Sequence, residues 1–444
     1  MHDDLAHLPG LLSGYAADLL ATLDDRPAAV PPAPTEPRPL PAPAGLDGAL
    51  ADFAGRWEPG FAGSAGPRYL GFVTGGATPA SLAGDWLTAV LDQNPATRID
   101  SSAPALEREA VGWLAELFGL PSHTGMFVSG ATMSNMVGLA VAREWLGETL
   151  GVSVAEDGAA ALGDVPVLSA SPHSSTYKAL SMLGLGRNAV RTTPTLPGRE
   201  AADVDALDAA LTALGGRPAI VVANAGTVNT VDFDDLRAIA ALRTRHRFWL
   251  HVDAAFGGFA ALSPAHAHLV AGLDEADSVC VDLHKWLNVP YDSAVQFTRR
   301  RDLQIRVFQS AAAYLGDPGE DPVHLTPESS RRLRALPTWF TLRAYGRDGH
   351  RAIVERNIAQ AHRLGALLDA APGWRLLAPV RLNVVCFTPE TRDPSEILDA
   401  VAASGETFLT PTVLWGTPGI RAAFSNWRTT DTDVDRVFQA LQKS

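Results

Sequence analysis

The sequence lacks three features that mark specialised classes of protein. Its 444 residues include only two cysteines, Cys280 and Cys386, without the spacing of metal ligands, so neither a disulfide framework nor a zinc site is predicted. No apolar run reaches the roughly 18 residues of a membrane span. The formal net charge is −13 and no dense run of lysine and arginine occurs. This argues against nucleic acid or an anionic membrane as a partner.

What the sequence does contain is typical of a soluble globular protein that binds a small molecule. Hydrophobic residues make up 46% of the chain, enough for a large core. The N-terminus begins MHDDLAHLPG, with no basic region ahead of its apolar stretch, so no secretory signal is predicted. A cytoplasmic location is therefore expected.

A proline-rich segment divides a short N-terminal region from the body of the chain. Residues 26–45 read RPAAVPPAPTEPRPLPAPAG, which favours an extended path. Beyond it, apolar runs such as AIVVANAG and FWLHVDAA alternate with helical patterns, as in a mostly parallel sheet covered on both faces. From about residue 336 the pattern suits a smaller α+β domain. We expect a helical arm and linker (1–60), a large domain (61–335) and a small C-terminal domain (336–444).

The run FVSGATMSN passes from a predicted strand into a predicted helix. In an open α/β sheet, ligands bind at the carboxyl ends of the strands. The first turn of a helix there offers free backbone N–H groups and the positive end of the helix dipole. Ser129, Gly130, Ala131 and Thr132 are therefore candidates for a phosphate cradle. Ordinary helix capping is an equal alternative, and the spacing matches neither a Walker loop nor a dinucleotide fingerprint.

A second strand end carries an acid inside an apolar run. In WLHVDAAFGG, His251 and Asp253 point to the same face of the predicted strand. A carboxylate at such a position is costly unless a cation meets it. The alternatives are a helix cap, a partner for a structural arginine, or a metal site shared with His284.

Lys285 gives these features a common explanation. It follows the apolar run VCV in VCVDLHKWLNVPYDS, at the rim of a core. A lysine in a low-dielectric cleft has its charged form destabilised, and a neutral amine forms a Schiff base with an aldehyde. A phosphate cradle, a buried acid and a buried lysine are together what pyridoxal phosphate requires: a phosphate anchor, a partner for the pyridine nitrogen and an amine for the aldehyde.

The same residues resemble a known family. HVDAAFGG followed about thirty residues later by DLHKWLNVPYDS is similar to the group II pyridoxal-phosphate-dependent amino acid decarboxylases, which include the aromatic-L-amino-acid and glutamate enzymes. The resemblance runs from about residue 60 to the C-terminus. It implies the type I, aspartate aminotransferase-like α/β fold, in a homodimer with active sites at the subunit interface.

The resemblance also implies a role for each matching residue. Lys285 is expected to form the Schiff base and Asp253 to pair with the pyridinium nitrogen. Ala255 and His173 are expected on opposite faces of the cofactor ring, and Thr227 beside the ring or the substrate carboxylate. His284 is expected to bind the phosphate together with the cradle. For His173 and Thr227, the residues alone allow a helix cap and a turn.

The expected reaction is loss of carbon dioxide from an L-amino acid to give the amine, with the cofactor ring as electron sink. The family usually has a loop tyrosine that supplies a proton after decarboxylation. Here the loop is shorter, Tyr314 matches a position before it, and His324 is the candidate donor. Decarboxylation-dependent oxidative deamination to an aldehyde is therefore the alternative reaction. A catalytically silent cofactor-binding protein of the same fold is the non-enzymatic alternative.

The substrate is less well specified. The resemblance assigns the segment PRYLGFVTGGATPASL and a partner-chain segment DQNPATRIDSSAPALE to the side-chain pocket. Tyr69 and Phe72 suit an aromatic or apolar substrate, although core packing explains them equally well. Arg98 instead favours an acidic one. Arg428, in FSNWRTT, is a candidate for the substrate carboxylate or for a structural ion pair.

Overall fold

The structure is a computed structural model that describes residues 2–32, 36–310 and 321–444. The chain forms two compact units. The larger is Gly75–Ile358, and the smaller combines Met1–Thr74 with Ala359–Ser444. The three-part division predicted from the sequence, with boundaries after residues 60 and 335, stays a prediction.

The larger unit contains a seven-stranded sheet. Its strands are β1 Thr124–Val128, β2 Val167–Ser169, β3 Val190–Thr192, β4 Ala219–Asn224, β5 Phe248–Asp253, β6 Ser278–Asp282 and β7 Ala294–Thr298. The order is β1-β7-β6-β5-β4-β2-β3. Only β7 runs antiparallel to its neighbours, β1 and β6, within the described sheet. This mostly parallel sheet confirms the predicted fold class.

Helices surround this sheet. They are α3 Pro79–Leu91, α4 Ala103–Phe118, α5 Ala131–Leu150, α6 Val154–Asp157, α7 Ser174–Met182, α8 Val204–Ala213, α9 Leu236–Ala241, α10 Leu283–Trp286, α11 Arg301–Phe308 and α12 Ala335–Ala370. Helix α12 is interrupted at Gly346, and its residues belong to both units.

Burial explains why these segments adopt their structures. Every residue of β4, β5, β6 and β7 is buried, as the continuous apolar runs predict for a sheet covered on both faces. Helix α5 packs its apolar residues into the core of this unit with Val137, Leu139 and Val141. The helix ends at Gly151, whose φ of +77° suits glycine. Its first turn lies beside the carboxyl end of β6, where the Ala131 N–H contacts Asp282.

The smaller unit has its own sheet and core. Its helices are α1 His2–Thr22, α2 Gly45–Arg56, α13 Pro394–Ser404 and α14 Asp431–Lys443. Its strands are β8 Trp374–Leu376, β9 Val384–Pro389, β10 Thr410–Leu414 and β11 Thr417–Ala423, in the antiparallel order β10-β11-β9-β8. Phe387 and Phe424 are fully buried in its core. Of the helices in the described chain, none is both long and apolar enough to cross a membrane.

Candidate active site

The carboxyl end of β5 carries a carboxylate held by neutral donors. Asp253 is 7% exposed. Its Oδ2 accepts a hydrogen bond of 2.8 Å from Asn135 Nδ2, and its Oδ1 accepts one of 3.1 Å from the Ala255 backbone N–H. Among the described residues Asp253 forms no salt bridge, so its charge is balanced by dipoles and not by a resident cation.

His251 lies behind this carboxylate and is fully buried. Its Nε2 is 3.0 Å from Asn135 Oδ1 and its Nδ1 is 2.8 Å from Ser278 Oγ. Burial lowers the pKa of His251 to about 4, against the opposing effect of the Asp253 charge. The two ring nitrogens of His251 are thus both within hydrogen-bond distance of a neighbouring side chain, Asn135 and Ser278. Within the described residues, no group of three or more His, Cys, Asp or Glu side chains is arranged to hold a metal ion.

The carboxyl end of β6 carries a second buried acid, beside the lysine. Lys285, in the short helix α10, places Nζ 3.3 Å from Asp282 Oδ2. Nζ also lies 5.7 Å from the ring centroid of Phe256, three residues beyond Asp253. The backbone of Gly75 packs on this turn so closely that a Cβ there would lie 1.7 Å from the Lys285 carbonyl oxygen. Only glycine fits at that position.

The first turn of α5 meets the lysine turn at the same edge of the sheet. The Ala131 N–H donates to Asp282 Oδ2 at 3.3 Å. A Cβ on Gly130 would lie 3.4 Å from Cε1 of His284, so the imidazole borders the predicted cradle. Burial lowers the pKa of His284, while the Asp282 charge opposes that shift. The backbone N–H groups of a helix start and an imidazole thus face one another, a donor set suited to a phosphate.

His173 belongs to the same group through two intermediate residues. Asn135 Nδ2 donates to Ser175 Oγ at 3.0 Å, and Ser175 Oγ is 2.8 Å from His173 Nδ1. His173 Nδ1 also accepts the Ser175 backbone N–H at 3.2 Å, which caps α7. The capping alternative is therefore correct for Nδ1. The ring is linked to the Asp253 carboxylate through Ser175 and Asn135.

Comparison with known proteins identifies the family. The family model described as pyridoxal-dependent decarboxylase conserved domain matches residues 42–389. The chain belongs to the pyridoxal-dependent decarboxylase family. An aromatic-L-amino-acid decarboxylase of Bacillus atrophaeus is 30% identical over 72% of this chain and 67% of its own length. The chain is a pyridoxal-phosphate-dependent amino acid decarboxylase, as predicted.

Two further comparisons bear on the fold and on the reaction. The crystal structure of Oryza sativa TDC with PLP and tryptamine has a TM-score of 0.90 at 22% identity, covering 100% of this chain and 98% of that one. That similarity confirms the type I fold. A phenylacetaldehyde synthase of Arabidopsis thaliana is 24% identical over 90% of this chain and 86% of its own length. Aldehyde-forming enzymes are thus among the relatives of this decarboxylase.

Thr227 in this decarboxylase directs its hydroxyl at a carboxylate. Thr227 Oγ1 donates to Glu200 Oε2 at 2.7 Å and accepts the Asp232 backbone N–H at 2.9 Å. The same Glu200 oxygen accepts from the Thr230 hydroxyl at 2.8 Å. Glu200 therefore orients the Thr227 hydroxyl, and the Asp232 N–H that this hydroxyl accepts agrees with the turn alternative. The contact of Thr227 with the cofactor stays a prediction.

The residues predicted to contact the substrate fall into two groups. Tyr69 and Phe72 lie in the smaller unit, where both rings contact Phe408 at centroid distances of 4.8 and 6.0 Å. Phe72 is 62% exposed, so core packing, the alternative explanation for it, is wrong. The two arginines have acidic partners. Arg98 Nε is 2.9 Å from Asp321 Oδ1, and Arg428 is 2.9 Å from Asp24 Oδ1.

His324, the candidate proton donor, is fully buried. It ends a 3₁₀ turn, Pro322–His324, and its Nδ1 accepts the Ser310 backbone N–H at 3.1 Å. Its Nε2 has no hydrogen-bond partner within the described chain. Tyr314 lies outside the described residues.

Sequence reasoning missed the residues that connect the site. These are Asn135, Ser175, Glu200 and Asp282. Asp282 could have been found from its place two residues before the His–Lys pair, and Asn135 from being the polar residue directly before the apolar helix sequence MVGLAV. Glu200 carries no such signal, because Thr227 is 27 positions away, and nothing near Ser175 indicates its bond to Asn135, 40 positions away.

Proposed function

We propose that Lys285 forms the Schiff base with pyridoxal phosphate in an aromatic-L-amino-acid decarboxylase that works as a homodimer. When bound, the cofactor supplies an aldehyde for the amine and a ring that accepts electrons from the bond that breaks. The observation that carries the proposal is the pairing of two neighbouring strand ends, one with Lys285 beside Asp282 and the other with Asp253 held by neutral donors.

The donor set fits each chemical group of the cofactor. Asp253 supplies the negative charge that a protonated ring nitrogen needs, and no resident cation competes for it among the described residues. The proposed cradle residues Ser129, Gly130, Ala131 and Thr132 begin α5, with His284 beside Gly130. His173 and Ala255 are proposed to lie on opposite faces of the ring, with Thr227 held nearby by Glu200.

The aromatic substrate class is supported by the family resemblance, which assigns the segment with Tyr69 and Phe72 to the side-chain pocket. Tyr69, Phe72 and Phe408 form an aromatic group with an exposed member, Phe72. An acidic substrate would need an uncompensated cation, whereas Arg98 already pairs with Asp321. The relatives named above include an aromatic-L-amino-acid decarboxylase.

A homodimer is supported by an apolar surface on α3. Trp86, Leu87, Val90 and Leu91 are 51, 42, 77 and 54% exposed. Four large apolar side chains on one helix are unusual for a solvated surface and typical of an interface. Val90→Glu should shift the mass measured by analytical ultracentrifugation toward one chain, whereas a wild-type protein that sediments as one chain would refute the dimer. The cytoplasmic location stays a prediction.

The chain offers an unusually clean test of Lys285, because its only lysines are Lys178, Lys285 and Lys443. Borohydride treatment of the cofactor-loaded protein should fix the cofactor on Lys285, and Lys178→Arg and Lys443→Arg should label like the wild type. Lys285→Arg should abolish the label. A label on Lys178 or Lys443 in the wild type would overturn the proposal.

Oxidative deamination is the second candidate, favoured by the aldehyde-forming relative and by the lack of tyrosine in residues 321–335. Amine, carbon dioxide and hydrogen peroxide should be measured together under air with all twenty amino acids. Dominant peroxide in the wild type would favour aldehyde formation. If His324 supplies the proton, His324→Phe should keep carbon dioxide release and shift products from amine toward aldehyde, since general acid catalysis contributes roughly 10²–10⁴-fold.

A further inference from the structure

Asn135 occupies a branching point between the two sides of the site. Its Nδ2 donates to Asp253 Oδ2 at 2.8 Å and to Ser175 Oγ at 3.0 Å. Its Oδ1 lies 3.0 Å from His251 Nε2. Asn135 is fully buried. All hydrogen-bonding atoms of this amide side chain are thus used.

The Asp253 carboxylate determines which way this amide points. An ionised carboxylate only accepts hydrogen bonds, so the atom 2.8 Å from Asp253 Oδ2 must be the amide nitrogen. The amide oxygen then faces His251. Because that oxygen only accepts, His251 Nε2 must carry a proton.

Trp249 and Ser278 determine whether the other ring nitrogen of His251, Nδ1, carries a proton. Trp249 Nε1 is an obligatory donor, and it donates to Ser278 Oγ at 2.9 Å. The Ser278 hydroxyl is then available to donate to His251 Nδ1, 2.8 Å away. A neutral ring agrees with the lowered pKa of His251, about 4, which burial causes. Gly138 makes room for this ring, since a Cβ there would lie 2.8 Å from His251 Cε1.

The hydrogen bonds from Asn135 through Ser175 to His173 also have defined donors and acceptors. Ser175 Oγ accepts from Asn135, so its own proton is available for His173 Nδ1, 2.8 Å away. The Ser175 backbone N–H points at the same nitrogen and can only donate. A proton on Nδ1 would therefore oppose both the hydroxyl and the cap of α7. Nδ1 is an acceptor, and the proton of His173 belongs on Nε2.

We propose that Asn135 is a positioning residue that couples the negative charge of Asp253 to the proton position on His173, through Ser175. While Asp253 is ionised, His173 is held as the neutral tautomer with its proton on Nε2. In the proposed function, on which this inference rests, a neutral ring faces the cofactor and presents an N–H, not a bare nitrogen, at its outer edge. Trp249, Ser278 and His251 support the coupling by fixing the opposite side of the amide.

The direct test is the ring ¹⁵N spectrum of the full-length wild-type protein, labelled at its 12 histidines. His173→Gln and His251→Gln assign the two residues by the signals that disappear. At about pH 8 we expect both residues to show a bare Nδ1 and a protonated Nε2, and we expect the His251 signals to stay unchanged down to about pH 6, through the range in which an ordinary histidine titrates. A proton on Nδ1 of either residue at about pH 8 would overturn the proposal.

The Asn135→Asp variant has the same shape but reverses the donor. Its carboxylate would share one proton with the adjacent Asp253 carboxylate and accept from the Ser175 hydroxyl, leaving a Ser175 lone pair toward His173. The His173 Nδ1 resonance should therefore shift part of the way toward the protonated position, because the Ser175 backbone N–H still points at Nδ1. In Asn135→Asp/Ser175→Ala this move should vanish, because the reporting hydroxyl is gone. Met136→Leu, a core change of similar volume on the same helix, should leave the spectrum as in the wild type.

These outcomes separate the coupling from the proposed function. An Asn135→Asp protein that is folded yet keeps the wild-type His173 resonance would refute the coupling. If the variant does not fold, the wild-type tautomers still decide. The spectra should be recorded with and without added pyridoxal phosphate, because the hydrogen bonds involve protein atoms alone. Failure to label Lys285 with borohydride would refute the proposed function while leaving the tautomer result intact.

Discussion

Two buried aspartates at neighbouring strand ends are stabilised in different ways. Asp253 ends β5 and Asp282 ends β6, and they are 7 and 2% exposed. Asp253 accepts hydrogen bonds from the Asn135 amide and the Ala255 N–H. Asp282 lies 3.3 Å from the Lys285 ammonium. A carboxylate balanced only by dipoles can accept a cation that arrives with a ligand, whereas one with a resident ammonium is already balanced.

The largest effect is expected at Asp253. Asp253→Asn keeps the shape but removes the charge proposed to meet the cofactor nitrogen. Leaving a buried cation without its partner costs about 3–5 kcal/mol, so turnover should fall roughly 10²–10⁴-fold. Steady-state kcat and the cofactor dissociation constant should be measured with Asp282→Asn as the matched control. Turnover within about ten-fold of wild type would contradict the role of Asp253.

Acid is expected to weaken the side of the site that contains His251. Its pKa is lowered from 6.5 to about 4 by burial, so the unfolded chain binds a proton that the native protein does not. The contribution of the buried, neutral His251 to the free energy of unfolding is therefore fully present above about pH 6.5. It decreases as the pH falls toward 4, by about 1.4 kcal/mol per pH unit for each such histidine. His123 and His350, also lowered to about 4, add to the slope.

Urea unfolding at several pH values in this range measures that slope. His251→Gln and His350→Gln should each reduce it by about one proton. Only His251→Gln should also weaken cofactor retention, because only His251 contacts Asn135. Equal retention in the two variants would separate His251 from the Asp253 group.

A smaller effect, opposite in sign, is expected at Asp282. Asp282→Asn removes the carboxylate beside Lys285, whose side chain is 20% exposed. Without this ion pair the Lys285 amine is free to reach the cofactor aldehyde, so cofactor should attach to the cofactor-free protein about 3–10-fold faster, a modest gain because solvent screens the pair. Stopped-flow absorbance measures the rate. Slower attachment would instead show that Asp282 assists the reaction of Lys285 with the cofactor aldehyde.

The smallest effect is expected for an ion pair whose acid is exposed to solvent. Arg428 pairs with Asp24, which is 58% exposed. Arg428→Gln should change the free energy of unfolding by less than about 1 kcal/mol and leave KM for the amino acid unchanged. A large rise in KM with unchanged kcat would instead assign Arg428 to the substrate carboxylate. Asp24→Asn is the control, since it breaks the ion pair but keeps the arginine.

The parts of the fold that are local in sequence were predictable. The runs FWLHVDAA and SVCVDLH become β5 and β6, because continuous apolar residues are stable only in a strand covered on both faces. Asp253 and Lys285 were predictable as a pair, because carboxyl ends of parallel strands share one edge of a sheet. The strand β3 was missed, since its three residues, Val190–Thr192, are only partly covered.

The sequence by itself determined the sheet, the strand ends and the kind of chemistry found there. Only the tertiary structure decided how each polar group is compensated: that Asn135 reaches across 118 positions to Asp253, that Thr227 donates to Glu200, and that Arg98 is already paired with Asp321. Apolar periodicity is a local property and can be read along the chain. Hydrogen-bond direction and charge balance depend on which donors and acceptors meet after packing, and sequence spacing does not contain that information.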